Sequence, residues 1–366
     1  MAIRLKSFLF AALLCSSLLY GEDLSYSDFL KNIEERQVGA AREVLADLCP
    51  QEELWNDLLF SEMVGGLTRA RLYSCDLNGK SYVFRFLDPR KSDDFRKGEI
   101  AALRTASDLA IAPICLAADH DSLLTVMPFV KGHPLCRHDL DNKEPIRRLG
   151  ESVASLHNYS GRYPTRITTI EKIEEHYRKG VEGGVAYPTG FGESVRSLRR
   201  GEISSPLVPC HGDLHPANIL VDEDRVTIID WTCATWDDPF SDLSLIAVCA
   251  NMTCDQEEIL LSAYYGRAPT AEERSRLKAG KLKVYLLTAA IWFRCSEDPE
   301  DKKINYHERV SKLDAQLSSP DLKKAEEYLR EGRMANLKSD PREEVRLYAI
   351  SFYKAFLENV EQKDHI

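Results

Sequence analysis

Between residues 26 and 62 apolar side chains recur at helical spacing (Leu30, Ile33, Val44, Leu45 and Leu48), which predicts one or two helices. The pattern then changes to strands over 67–75 and 81–87. These flank Asp76-Leu77-Asn78-Gly79-Lys80, and Asn-Gly between two apolar runs predicts a tight hairpin. A helix follows over about 94–106 and a strand over 122–130. From Ile146 onward the periodicity is mostly helical, broken by a short strand pair at 218–230. Residues 161–206 are rich in Gly, Pro and Ser and read as containing a mobile connection. The charged tail from Ser319 predicts helices packed as a hairpin. The chain reads as an α+β protein: a small β-rich lobe, a large α-rich lobe, and a cleft between them. The expected divisions are an N-terminal segment 1–22, an extension plus first lobe 23–130, a second lobe 131–318, and a helical extension 319–366.

Composition narrows the function classes. The 366 residues carry 48 Lys and Arg against 58 Asp and Glu, a net charge of −10. That balance disfavours a nucleic-acid partner, because phosphate binding needs a basic face. A hydrophobic fraction of 44%, without repeats or low-complexity tracts, excludes a fibre or a disordered scaffold. The ten cysteines are scattered, with no CxxC and no Cys/His cluster, so a zinc site is not expected. Their placement in apolar runs favours a reducing compartment. The N-terminus pulls the other way. Arg4 and Lys6 precede an apolar run over 7–20 and then Gly21-Glu22-Asp23, an arrangement like a secretory signal. The run is too short for a stable anchor, and Leu19-x-Gly21 is a poor cleavage site. Export or membrane contact through residues 1–21 therefore stands as the alternative to a cytoplasmic location.

The strongest chemical signal is His211-Gly212-Asp213-Leu214-His215-Pro216-Ala217-Asn218-Ile219-Leu220, followed by Ile228-Ile229-Asp230-Trp231. If the β-branched runs around Asp222-Glu223-Asp224-Arg225 close as a hairpin, Val221 pairs with Val226. Asn218 then lies opposite Ile229, next to Asp230. A carboxylate and an amide oxygen at one hairpin end suit Mg²⁺, which completes its shell with substrate phosphates. Asp213, in the loop just ahead, is free to face what the metal holds. In the first lobe, strand alternation puts Arg85 on the face of Val83 and Leu87, and Glu99 falls in the apolar stripe of Phe95, Ala102, Leu103 and Ala106. Two buried misfits of opposite sign predict an Arg85–Glu99 ion pair.

HGDLHPAN…IIDW, with Asp237-Asp238-Pro239-Phe240-Ser241-Asp242-Leu243 after it, resembles the catalytic segment of the aminoglycoside-phosphotransferase and choline-kinase superfamily. The stretch is most similar to bacterial choline and ethanolamine kinases. The resemblance implies a two-lobed protein-kinase-like fold that transfers the ATP γ-phosphoryl group to a small-molecule alcohol. It implies that Asp213 takes the acceptor proton, that Asn218 and Asp230 hold Mg²⁺, and that His211 and Asp242 brace the loop. Arg85 and Glu99 would position the phosphates, Gly65 and Gly66 would form the nucleotide loop, and Pro128 and Val130 would read the adenine edge.

For the acceptor, Tyr285 and Trp292 share a helix face, and with Trp236 they would form an aromatic cage for a cationic amino alcohol, choline first. Asp237 and Asp238 would supply acidic surroundings. Ethanolamine, thiamine, an aminoglycoside and a catalytically silent nucleotide-binding protein remain as alternatives. An ATP-using enzyme, with Cys210 and Cys233 flanking its site, is expected to work in the cytoplasm.

Overall fold

The computed structural model describes residues 19–64, 70–202, 205–223, 225–297, 303–319, 322 and 341–361. Strand β1 (Leu19–Ser25) leads into helices α1 (Tyr26–Asn32) and α2 (Glu35–Leu48). Ser25 starts α1 by accepting the Asp28 N–H, and Glu34 with Gln37 forms a capping box on α2. The helical expectation over 26–62 holds only to residue 57, because β2 (Leu59–Val64) buries Phe60 against the lobe core. Next come β3 (Arg71–Leu77) and β4 (Lys80–Phe86). Asn78 and Gly79 have φ of 52° and 75°, as the two-residue turn between twisted strands requires, and Leu77 pairs with Lys80. Helix α3 (Asp93–Asp108), β5 (Ala117–Asp119) and β6 (Leu124–Pro128) complete a six-stranded sheet of order β1-β2-β3-β4-β6-β5.

The N-terminal helices cover one face of this sheet. Phe29, Ala41 and Leu45 pack with Phe60, Tyr73, Phe84 and Phe86, and the Phe29 and Phe60 rings stack at 3.9 Å. Residues 23–64 are thus part of the lobe and not an appendage. Helix α3 bridges the lobes. Its Ile100 meets Leu87 and Leu123, while Ala102, Leu103 and Ala106 join the core of the second lobe.

The second lobe contains β7 (His133–Pro134), α4 (Lys143–His157), α5 (Thr169–Glu182), α6 (Phe191–Arg200) and β8 (Val208–Cys210). It continues with β9 (Ile219–Asp222), β10 (Arg225–Ile228), β11 (Thr235–Asp237), α7 (Phe240–Cys249) and α8 (Cys254–Tyr265). Helices α9 (Ala271–Cys295), α10 (Tyr306–Leu317) and α11 (Pro341–Glu361) finish it. The mobile connection expected within 161–206 is mostly two helices, α5 and α6, held by buried Ile170, Ile173, Phe191 and Val195. Helix α11 lies along α9 and places Ile350, Tyr353 and Phe356 in the same core as Phe191 and Phe293. The tail therefore completes the lobe. The first half of the expected tail hairpin, 323–340, lies outside the described residues, as does the signal-like run before residue 19. Among the described residues no helix is long and apolar enough to cross a membrane.

One contact in this lobe sets a pH dependence. Arg294 on α9 donates to His176 Nδ1 on α5 at 2.7 Å. Burial, and then the Arg294 charge, lower the His176 pKa to about 4. An unfolded histidine titrates near ~6.5. As pH falls through that window the unfolded state takes up a proton that the folded state refuses, so stability falls. Denaturation midpoints should drop between about pH 6.5 and about pH 4, and His176→Asn should flatten the drop. An unchanged drop in the variant would clear His176 as its source.

Candidate active site

The hairpin that carries the chemistry has the register its sequence predicts. Val221 pairs with Val226 and Asp222 with Arg225, so the turn is a two-residue one, tighter than the four-residue loop expected. Glu223 takes φ of 51° to make it. The ladder runs one step beyond β9 and β10: the Ile229 N–H donates to the Asn218 carbonyl at 2.9 Å, which places Asn218 beside Asp230. Asn218 turns its Nδ2 to the Asp213 carbonyl at 2.9 Å and to His215 Nε2 at 3.3 Å. Both contacts use the amide nitrogen, leaving Oδ1 for a cation.

Asp230 sits in the left-handed region at φ of 62° and ψ of 71°. Its Oδ1 accepts from Arg85 at 3.1 Å and from the Thr232 hydroxyl at 2.5 Å. Burial pushes its pKa up, but Arg85, Thr232 and His211 outweigh that and hold it below the usual carboxylate value. The same Arg85 guanidinium binds Glu99 through its other nitrogen and the Thr232 hydroxyl at 3.0 Å. The pair expected between β4 and α3 is present, and it extends across the cleft to Asp230, which the sequence did not suggest. Arg166 ties the same corner together. It lies over the Phe95 ring at 3.7 Å and donates to the Phe95 and Thr232 carbonyls.

His211 and Asp242 hold the loop from beneath. The fully buried Asp242 carboxylate accepts the His211 N–H at 2.7 Å and the Gly212 N–H at 2.9 Å, and His157 Nε2 reaches it at 3.3 Å. Burial raises its pKa, and the His157 contact with these other partners more than reverses the effect. His211 donates from Nε2 to the Ile229 carbonyl and accepts the Asp213 N–H at Nδ1, linking loop to hairpin. Gly212 has φ of 76°, and a Cβ there would lie 2.3 Å from the Cys233 carbonyl oxygen, so only glycine fits. Lys172 on α5 donates to the Gly212 carbonyl at 3.3 Å. With the backbone so fixed, the Asp213 side chain remains 44% exposed, its carboxylate 3.7 Å from His215 Nε2.

At the lobe junction the Phe129 N–H donates to the Ser81 carbonyl at 2.8 Å, making that a hydrogen-bonded pair. Pro128, one residue earlier, therefore turns its carbonyl away from β4. Val130 N–H has no backbone partner in the described residues. Gly65 and Gly66 lie outside the described residues.

The three cage residues are not brought together. Trp236 on β11 donates its indole N–H to the Tyr163 carbonyl at 3.2 Å and packs on the core shared by α4 and α7. Asp237 accepts from the Thr169 N–H and hydroxyl, and Asp238 from Phe240 N–H, Ser205 and Arg276. All three are engaged in holding β11 and the start of α7, so they do not supply the acidic aromatic wall expected of them. Tyr285 and Trp292 stay on one side of α9, against α11, where Trp292 meets Tyr348 edge-on at 5.1 Å. Burial pushes the Tyr285 and Tyr348 hydroxyls up. Tyr348, from the tail helix, is a neighbour of Trp292 that the sequence did not suggest.

Similarity to known proteins agrees with this geometry. The chain is 28% identical over 112 residues to protein LicA of Haemophilus influenzae, covering 30% of this chain and 42% of LicA. It spans under half the length of the first curated LicA relatives it matches. A choline/ethanolamine kinase family protein from Mesorhizobium loti superposes with a TM-score of 0.58 at 22% identity, covering 82% of this chain and 100% of that one. The choline kinase LicA from Streptococcus pneumoniae superposes at 0.54 with 18% identity, covering 75% and 97% respectively. LicA has also been solved in complex with AMP. These likenesses show a protein-kinase-like fold. Residues 64–279, more than half of the sequence, match the phosphotransferase enzyme family, and the chain belongs to that family.

Proposed function

We propose that this phosphotransferase moves the γ-phosphoryl group of ATP to the hydroxyl of a small amino alcohol, with choline or ethanolamine the favoured acceptor. The observation that carries the reading is the exposed Asp213 carboxylate on a braced loop, beside the hairpin end that presents Asn218 and Asp230. The donor set there is all oxygen, one carboxylate and one amide, and fits Mg²⁺. The ion would offset charge on the nucleotide phosphates and the group in transfer. Asp213 would align the acceptor hydroxyl and take its proton as the new P–O bond forms, the γ-phosphoryl leaving ADP. Arg85, held by Glu99, would keep Asp230 aimed at the phosphates. Pro128 C=O and Val130 N–H offer an acceptor and a donor to an adenine edge. The nine described cysteines are all free thiols, which supports a reducing, ATP-supplied cytoplasm as the site of action.

The acceptor half rests on Tyr285, Trp292 and Tyr348, grouped where α9 meets α11. A cation over an aromatic face gains up to about 2 kcal/mol when desolvated. Trp292→Ala should accordingly raise KM for choline by roughly two- to thirty-fold and leave KM for ATP unchanged. The neutral isostere 3,3-dimethylbutanol should lose a similar factor. Equal use of the neutral alcohol and choline would remove the cation site, and turnover of an aminoglycoside alone would assign a different acceptor.

A further inference from the structure

We propose that His133, Cys136 and Asp139 form a binding site for a thiophilic divalent cation, Zn²⁺ in the first instance, on β7 and the turn that follows it, beside the catalytic hairpin. One nitrogen, one sulfur and one carboxylate oxygen from these side chains all lie within 4.8 Å of one another. Tetrahedral Zn²⁺ holds such ligands about 3.3–3.8 Å apart, so closing around an ion needs only small side-chain movements. His133 Nε2 already stands 3.0 Å and 3.2 Å from the two Asp139 oxygens. The mixed nitrogen, sulfur and oxygen set excludes Mg²⁺ and Ca²⁺, which take oxygen, and leaves a fourth position for water.

The ligands are held on a pinned stretch of backbone. Gly132, at φ of 122°, presses so close to β9 that a Cβ would lie 2.4 Å from the Val221 carbonyl oxygen. His133 pairs with Val221, and the Leu135 N–H donates to the Ile219 carbonyl at 2.8 Å. The Cys136 N–H donates to Asp139 at 2.7 Å, and Gln256 holds the Leu140 carbonyl at 2.8 Å. Arg137, the nearest sequence cation, turns away to the Asn251 carbonyl, so no guanidinium occupies the place of an ion. His133 is half exposed and Cys136 partly so, which leaves a path from solvent.

A second His/Cys/Asp group, His157, Cys210 and Asp242, is wholly buried, and its carboxylate already serves two backbone amides. It has neither an entry path nor a free ligand. At His133 the balance is simple. Before an ion binds, Nε2 carries the proton it donates to Asp139. On binding, that proton passes through solvent to Nδ1, Nε2 and the freed Asp139 oxygen take the ion, and the Cys136 thiol proton leaves to solvent. The site lies on the segment whose first residues pair with β9, so an ion there would stiffen the backbone against which the catalytic hairpin is laid.

The test titrates Co²⁺, then Zn²⁺, into the full chain in excess Mg²⁺. Co²⁺ should give a thiolate charge-transfer band that Zn²⁺ abolishes, and Zn²⁺ should raise the thermal midpoint. Cys136→Ser should lose the band and the shift, and His133→Gln should weaken the affinity by about tenfold or more. Cys254→Ser, at an exposed cysteine elsewhere, should retain both. A wild-type chain without the band, or a Cys136→Ser chain that keeps it, would overturn the site.

Discussion

Asp213→Asn is expected to lower kcat by about 10²- to 10⁴-fold, the usual worth of a positioned general base, and to move nucleotide affinity by no more than a few-fold. The structure separates these two effects. The loop is held by the Asp213 backbone, whose N–H donates to His211 and whose carbonyl accepts from Asn218. The carboxylate has only a 3.7 Å approach to His215, so an amide of the same shape leaves the brace and the hairpin in place. Steady-state turnover and equilibrium nucleotide binding on the same preparation check this. A variant with near-normal kcat would remove the assigned role.

Asp230→Ala should act on the other half of the site, lowering Mg²⁺-dependent nucleotide affinity by at least about tenfold at limiting Mg²⁺. Two losses combine. The hairpin end keeps only the Asn218 oxygen, and Arg85 keeps only Glu99 as a carboxylate partner. Thr232, which donates to Asp230 and accepts from Arg85, would be left to one of them. Nucleotide affinity that ignores the substitution across a Mg²⁺ titration would contradict the metal assignment.

The parts of the site that were legible in the sequence are those set by local pattern. The β9–β10 register follows from two β-branched runs and a short turn, so Asn218 beside Asp230 could be read directly. The Arg85–Glu99 pair could be read because each charge violated an apolar face, and two violations on adjacent elements have one economical solution. What could not be read depends on contacts distant in sequence. Arg85 reaches Asp230 from another lobe, and Arg166 joins α3 to Thr232 from a stretch whose glycines and prolines hid two amphipathic helices. Trp236 looked like a cage residue because its ring is large and near the motif, yet a carbonyl at Tyr163 holds its N–H. Tyr348 lies in a tail whose charge pattern gave no sign that its helix completes the second lobe. The expectation of no Cys/His cluster does not hold at His133-x2-Cys136, whose third partner, Asp139, reads in the sequence as an ordinary turn cap.

The most direct measurement follows ATP labelled at the γ-phosphate, with Mg²⁺ and choline, and compares the wild-type chain with Asp213→Asn. The account predicts acceptor-dependent formation of ADP and labelled phosphocholine by the wild type and their loss in the variant. Label that reaches no alcohol in a panel of choline, ethanolamine, thiamine and aminoglycosides, or transfer that survives in Asp213→Asn, would contradict it.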